Sequence, residues 1–349
     1  MGIVTQGVKY LGSKKNLLPF ITEAVDRLHA KTAIDVFSGT TRVAQALRQR
    51  GIATTTSDLS WATSCYAGAY VHNGDNSHLA PFVDGMNRLP GVVGWLTENY
   101  TGDVPESAPR GDGRCFQAKN TRRADAARDY IETLDLLPWE KSTLVTSIIR
   151  ALDAVDNTVG VQQAYLKEWC VRSHNDISFQ LPLAIEGPTA VHHEGDCLTV
   201  NYGSADVAYL DPPYSPHAYS TYYHIWDSIA RWDKPPTGLK ARRREDRIAK
   251  SDVFDASMTS PWNARKTALA AFSELIDRLP VRNCVISYSD ESLIDRTALL
   301  RELENHGEII VEEIDYRRNI MSQIGNATVN GDPEKSQKNK ELLITLKKR

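Results

Sequence analysis

The chain has 349 residues, 41% of them hydrophobic and 24% charged, which is the composition of a globular protein long enough for one large α/β domain and a smaller companion. Its net charge of −3 excludes a uniformly basic nucleic-acid binder and leaves only local patches for such a role. The five cysteines (Cys65, Cys115, Cys170, Cys197, Cys284) are scattered without a Cys-x-x-Cys pair, which argues against zinc and thioredoxin chemistry; with no leader sequence and no apolar run of membrane-spanning length, the expected setting is the reducing cytoplasm, with no membrane partner.

Helix-like and strand-like segments alternate along the chain, so the fold class is α/β with a mainly parallel sheet. Apolar residues at helical spacing predict a helix over 16–28. A buried strand follows at 32–37, then a helix at 40–49 stopped by Gly51, a second strand at 53–57 and a helix at 59–71. Residues 73–114 are rich in Gly, Pro, Asn and Asp and read as loops or an inserted piece. Residues 120–170 read as helical, with one long segment at 139–154. A strand is expected at 205–210. Residues 212–261 read as an aromatic helix and then a charged, proline-containing stretch. Further helices are expected at 263–279 and 292–305, and strands at 284–288, 308–316 and 341–346. Residues 319–338 are polar and expected to be mobile.

The most informative run is Tyr209-Leu-Asp211-Pro212-Pro213-Tyr214. Prolines cannot continue a sheet ladder, so the apolar strand ends there. Asp211 and Tyr214 are thereby left at a carboxyl edge, where open α/β sheets bind ligands. Asp211 and the carbonyl of Pro212 can each accept one hydrogen of an exocyclic amino group, and Tyr214 offers a face on which a flipped base can stack. The nitrogen lone pair is then free to attack a methyl donor. A second motif, Asp35-Val-Phe37-Ser38-Gly39-Thr-Thr-Arg42, lies at a strand-to-helix junction, where Gly39 permits close backbone approach. This is not the Gly-x-Gly-x-x-Gly dinucleotide fingerprint, and a carboxylate at the strand end suits a cationic amino-acid group better than a pyrophosphate. Asp58, at the end of the next strand, stands where an acid binds ribose hydroxyls. Lys9-Tyr10-Leu-Gly-Ser-Lys14 precedes the first helix, and Gly195-Asp196-Cys197 precedes the strand that leads into Asp211.

In this order the segments resemble the Dam-like, alpha-group DNA adenine N6-methyltransferases. The likeness extends through Arg110–Ile131, through Asp153-Ala-Val-Asp-Asn157-Thr-Val-Gly160 and Ala164-Tyr-Leu-Lys167, through Tyr223-His224-x-Trp226, and to Asn339-Lys-Glu-Leu-Leu-Ile344. It implies a Rossmann-like S-adenosylmethionine-dependent methyltransferase sheet, formed by 1–74 and 191–349. It further implies an inserted, mainly helical DNA-recognition region at 75–190 and a second DNA-contacting insertion at 215–262. It implies S-adenosylmethionine as cofactor, with Tyr10 near its adenine, Lys14 near its polar end, Asp35 and the Phe37–Ser38–Gly39 turn around its methionine, Asp58 on the ribose and Asp196 on the adenine amino group. It implies that Asp211, Pro212, Pro213 and Tyr214 grip the target base. The implied partner is double-stranded DNA, acted on by a monomer, with a cognate restriction endonuclease encoded nearby. Ser13 stands where the family often has a second glycine, and Gly39-Thr-Thr where it commonly has Gly-x-Gly.

The implied chemistry is direct in-line methyl transfer, for which no metal is expected, since the leaving thioether is already good and catalysis is mostly positioning. Two basic clusters are candidates for DNA contact: Lys240, Arg242, Arg243, Arg244, Arg247 and Lys250, and Arg110, Arg114, Lys119, Arg122 and Arg123. Acids are interleaved with both, so a solvated helix face fits as well. Tyr219, Tyr222, Tyr223 and Trp226 suit a base pocket or a core. No cysteine follows a proline, against methylation of a cytosine ring carbon. Cytosine N4, RNA or protein amides remain alternative acceptors, and a non-catalytic binding subunit remains an alternative of another class.

Overall fold

The computed structural model describes residues 2–72, 74–101, 114–213, 216, 218–238, 242–248, 250–256, 259–289, 292–317 and 338–349. Seven strands form one sheet: β1 (Thr32–Asp35), β2 (Ala53–Asp58), β3 (Val191–Glu194), β4 (Ala205–Leu210), β5 (Val281–Ser289), β6 (Gly307–Arg317) and β7 (Lys338–Lys348). Their spatial order is β3-β2-β1-β4-β5-β7-β6. The first five are mutually parallel, and β7 runs antiparallel between β5 and β6. Chain order departs from β1 in both directions, toward β2 and toward β4, so the topological switch point lies between β1 and β4. Ligand crevices form at the carboxyl ends of strands at such a point.

Residues alternate across the sheet as a two-sided parallel sheet requires. Ala33, Val207, Tyr209, Val285 and Leu343 face α1 (Leu18–Arg27) and α2 (Arg42–Gln49). Ile34, Val36, Ala208, Leu210, Ile286, Leu342 and Ile344 face α10 (Arg265–Arg278) and α11 (Arg296–His306). The sheet is therefore sandwiched between helix pairs. A third core joins α3 (Trp61–Ala67) and α9 (His224–Arg231) to α4 (Ala80–Arg88), α5 (Trp95–Tyr100), α6 (Ala118–Glu132) and α7 (Pro138–Val155). Ile148, Ile149 and Leu152 on α7 are fully buried in it, at roughly 1.5–3 kcal/mol of burial each. The described residues of 75–190 form these helices and no strand of the sheet.

Three sequence expectations are corrected. The stretch 73–114, read as loops or an inserted piece, contains α4 and α5: Pro81 and Gly85 sit inside α4, whose Val83 and Met86 are buried by tertiary packing that overrides weak local propensity. Residues 156–170, read as helical, are irregular beyond α7, held by Asn157, whose side chain bonds Arg114, Leu166 and Cys170 backbone groups. Strand β3 went unread because Val-His-His-Glu at a half-exposed edge has no apolar alternation. The expectation for 319–338 falls, but for its last residue, outside the described residues.

Candidate active site

The carboxyl ends of β1, β2 and β4 open on two adjoining cavities. The larger, about 1070 Å3 including its open mouth, is lined by Asp58, Asp196, Pro213 and Trp262 among others. The smaller, about 330 Å3, is lined by Lys14, Asp35, Ser38 and Arg42. Asp211, Tyr10, Gly12, Phe37 and Gly39 line both. Ten of the twelve residues expected at the catalytic and cofactor sites, including the acids Asp35, Asp58, Asp196 and Asp211, therefore line one or both cavities. Pro212 is buried beside them, and Tyr214 lies outside the described residues.

The turn after β1 is built to bring backbone to the crevice. Ser38 donates to the carbonyls of Asp35 and Ser57 at 2.7 and 3.1 Å, tying β1 to β2. Gly39 adopts φ +48°, and a Cβ there would stand 3.3 Å from the Tyr10 ring. Its N–H donates to Asp58 Oδ2 at 2.8 Å, while Ser60 N–H donates to Asp58 Oδ1 at 2.9 Å. Burial pushes the Asp58 carboxyl up to about 6 against these two hydrogen bonds. Asp35 accepts from Ala44 N–H in the first turn of α2 at 3.2 Å. Burial pushes it to about 8, with the Ala44 bond opposing and the charges of Asp211 and Asp58 adding to the rise. Two carboxyl groups thus stand ready for a cation and for hydroxyl donors.

Lys14 links the N-terminal loop to the end of β4. Its ammonium lies 2.8 Å from Asp211 Oδ1 and 3.4 Å from Glu341 Oε1, and donates to Gly12 O at 3.1 Å. An aromatic wall stands opposite. Tyr10 stacks on Tyr223 at 4.4 Å and tilts against Tyr219 at 5.4 Å. The Tyr223 hydroxyl accepts from Leu11 N–H at 2.6 Å, and the Tyr219 hydroxyl donates to Leu11 O at 3.3 Å. Phe37 meets Trp262 edge-on at 5.0 Å. Asp196 accepts Leu198 N–H at 2.9 Å, which shapes the turn that presents it to the larger cavity.

The expected DNA contacts scatter. Arg244 is 2% exposed and is withdrawn from any DNA surface: its guanidinium bonds Asp233 through two nitrogens, at 2.8 and 2.7 Å, and Asp246 at 3.1 and 2.9 Å. Arg123 is half-buried and donates to the carbonyls of Ile177 and Asn87 at 2.7 and 2.9 Å. Arg122 is exposed, Arg242, Arg243 and Tyr222 are half-buried, and Tyr219 belongs to the cavity wall. Arg247 is buried with its guanidinium 4.7 Å from the Trp61 ring. Lys240 and Arg110 lie outside the described residues. Sequence reasoning gave no role to Trp262, nor to Glu341, which figured only within the run Asn339–Ile344; each reads as an ordinary loop or strand residue until the sheet order is known.

A doubly wound sheet of this order, with acids at the ends of β1, β2 and β4 around a two-chambered crevice, is that of a Rossmann-like methyltransferase. The chain belongs to the D12 class N6 adenine-specific DNA methyltransferases, whose family model matches residues 10–284. Among similar proteins, modification methylase LlaI of Lactococcus lactis subsp. lactis is 26% identical across 98% of this chain and 55% of its own length. Modification methylase StsI of Streptococcus sanguinis is 27% identical across 89% of this chain and 48% of its own. Type II methyltransferase M.NlaIII of Neisseria lactamica is 23% identical across 89% and 92% respectively. The chain thus spans about half the length of the first two and nearly all of the third.

Proposed function

We propose that this protein transfers a methyl group from S-adenosylmethionine to the N6 amino group of adenine in double-stranded DNA, with the base turned out of the duplex. The observation that carries this reading is that one carboxylate, Asp211, lines both cavities. A group held on one side and a group held on the other therefore meet at it. The donor set fits the cofactor. Asp35 in the smaller cavity suits an α-ammonium, and Arg42 beside it, with the positive charge of Lys14 nearby, suits an α-carboxylate. Asp58 and Asp196 in the larger cavity suit ribose hydroxyls and an adenine amino group, and Tyr10 and Phe37 offer apolar faces. Bound there, the cofactor supplies an electrophilic methyl on a sulfonium.

The chain's own residues do the rest. Asp211 accepts one amino hydrogen, and its negative charge stabilises the positive charge that grows on nitrogen during attack. The Pro212 carbonyl accepts the other hydrogen. Lys14 beside Asp211 keeps that carboxylate ionised against neighbouring Asp35. Turning out the base costs a few kcal/mol; stacking on Tyr214, worth on the order of 1–3 kcal/mol per base, offsets part of it. We assign the role of catalytic unit to 1–74 with 191–349 and target recognition to 75–190 and 215–262, with the exposed Arg122 and the half-buried Arg242, Arg243 and Tyr222 as DNA-facing candidates. The names of the relatives, a modification methylase and a type II methyltransferase, support a DNA-modifying role; action as a monomer in the cytoplasm, beside a cognate endonuclease, is part of the proposal. Genomic DNA from cells expressing the protein tests the target: N6-methyladenine at one recurrent sequence is expected, and methyl on cytosine N4 alone would move the reaction to another base.

A further inference from the structure

Glu341 is an acid in the wrong place for an ordinary strand residue. It opens the apolar run Leu342-Leu343-Ile344 of β7, pairs with Ser289 on β5 and Ile314 on β6, and is 1% exposed. A carboxylate so buried is costly unless it is paired. Its partner is the Lys14 ammonium, itself 6% exposed, which sits between Glu341 at 3.4 Å and Asp211 at 2.8 Å. Lys14 has three N–H donors, and Gly12 O, Asp211 and Glu341 account for three directions. The ammonium is therefore fixed from three sides, by the N-terminal loop, the end of β4 and the start of β7.

We propose that Glu341 is a positioning residue for methyl transfer: it anchors Lys14, which holds Oδ1 of Asp211 and so leaves the other carboxylate oxygen aimed at the target amino group. The inference rests on the reaction proposed above. It also gives Lys14 a duty distinct from the cofactor's polar end. Among the described residues, the charges around Asp211 include Lys14, Asp35 and, on the far side of Lys14, Glu341, with Tyr209 and Tyr219 nearby. Lys14 favours the ionised form of Asp211, whereas Glu341 and Asp35 oppose it. Removing the charge of Glu341 and removing that of Lys14 therefore have opposite consequences for the pH at which Asp211 becomes competent.

The test combines cofactor binding with single-turnover methyl transfer to duplex DNA across a pH series. Glu341→Ala is expected to lower the rate at least about tenfold, as a loosened reacting group does, while the dissociation constant for S-adenosylmethionine stays within about threefold of wild type. Glu341→Gln keeps an oxygen for Lys14, so it recovers most of the rate but moves the acid limb of the profile to lower pH. Lys14→Met moves that limb to higher pH. An unchanged rate in Glu341→Ala, or a loss confined to cofactor affinity, overturns the proposal. Should Glu341→Ala fail to fold, an unmoved acid limb in Glu341→Gln overturns it instead. A wild-type protein that transfers no methyl group sinks the parent reading and this inference together; an active wild type with indifferent variants sinks the inference alone.

Discussion

Arg244 and Lys14 are buried cations that each hold a pair of carboxylates, and they do different things. Arg244 grips Asp233 and Asp246 beside the Trp61 ring, 4.8 Å away. Lys14 holds Asp211 and Glu341. Burial alone lowers the pKa of Arg244, but its bonds to the two aspartates outweigh this and raise it above the usual arginine value. The ionic arithmetic of the two clusters is alike. The difference is that Lys14 and Asp211 open on a cavity, whereas Arg244 closes a loop onto helix α9 through Ser228. Charge clustering alone does not mark a site; charge clustering against empty space does.

The comparison breaks most readily by substitution. Arg244→Ala is expected to cost on the order of 2–4 kcal/mol in stability, somewhat below the fully buried case because Asp233 and Asp246 remain partly exposed. Thermal unfolding reads this, and the remaining folded protein should transfer methyl groups normally. Lys14→Met is expected to do the converse, lowering the transfer rate roughly 10²-fold in protein that still folds. If folded Arg244→Ala protein were inactive, or Lys14→Met fully active, the division between scaffold and site would not stand.

The crevice should also betray itself by pH. Burial raises Asp35 to about 8 and Asp58 to about 6, from an ordinary 3.8. A raised carboxyl contributes stability that is full below its unfolded pKa and lost as pH rises through the folded one. The ligand-free protein is therefore expected to lose melting temperature between about pH 4 and 8 on account of these two groups. A bound ammonium at Asp35 reverses the preference, so the stabilisation given by S-adenosylmethionine should grow over the same interval, with proton release on binding. Calorimetry in buffers of different ionisation enthalpy measures that release; a ligand-induced shift that is flat with pH would detach Asp35 and Asp58 from the cofactor.

Much of the crevice was legible in the sequence because its parts obey local rules. Prolines end β4 at Asp211, Gly39 is needed where φ is positive, apolar residues mark β1, β4, β5, β6 and β7, and the β-branched threonines mark β2. What was not legible depends on sheet order. Glu341 reads as a solvent-facing strand residue until β7 is known to lie against β5 with its first residues under Lys14. The basic run around 244 looked available for DNA because its partners, Asp233 and Asp246, are visible in sequence as mere interleaved acids. Only the fold shows that they are consumed. Strand β3 carries no apolar face to announce it.

The smallest expected effect concerns the DNA side. Arg122 is exposed on α6 while its neighbour Arg123 is tied down by Ile177 and Asn87. Arg122→Ala is expected to weaken DNA binding a few-fold and to reduce the salt slope by about one, with an unchanged melting temperature. Arg123→Ala should lower the melting temperature instead. An Arg122 variant with wild-type DNA affinity at every salt concentration would remove α6 from the binding face.

The most direct test of the account is methyl transfer from labelled S-adenosylmethionine to unmodified duplex DNA, with nucleoside analysis of the product, run beside Asp211→Ala. The account predicts N6-methyladenine in the wild-type reaction and a loss of about 10²–10³-fold or more in the variant, with cofactor still bound by both. Equal transfer by Asp211→Ala, or cofactor binding without any DNA product, would contradict it.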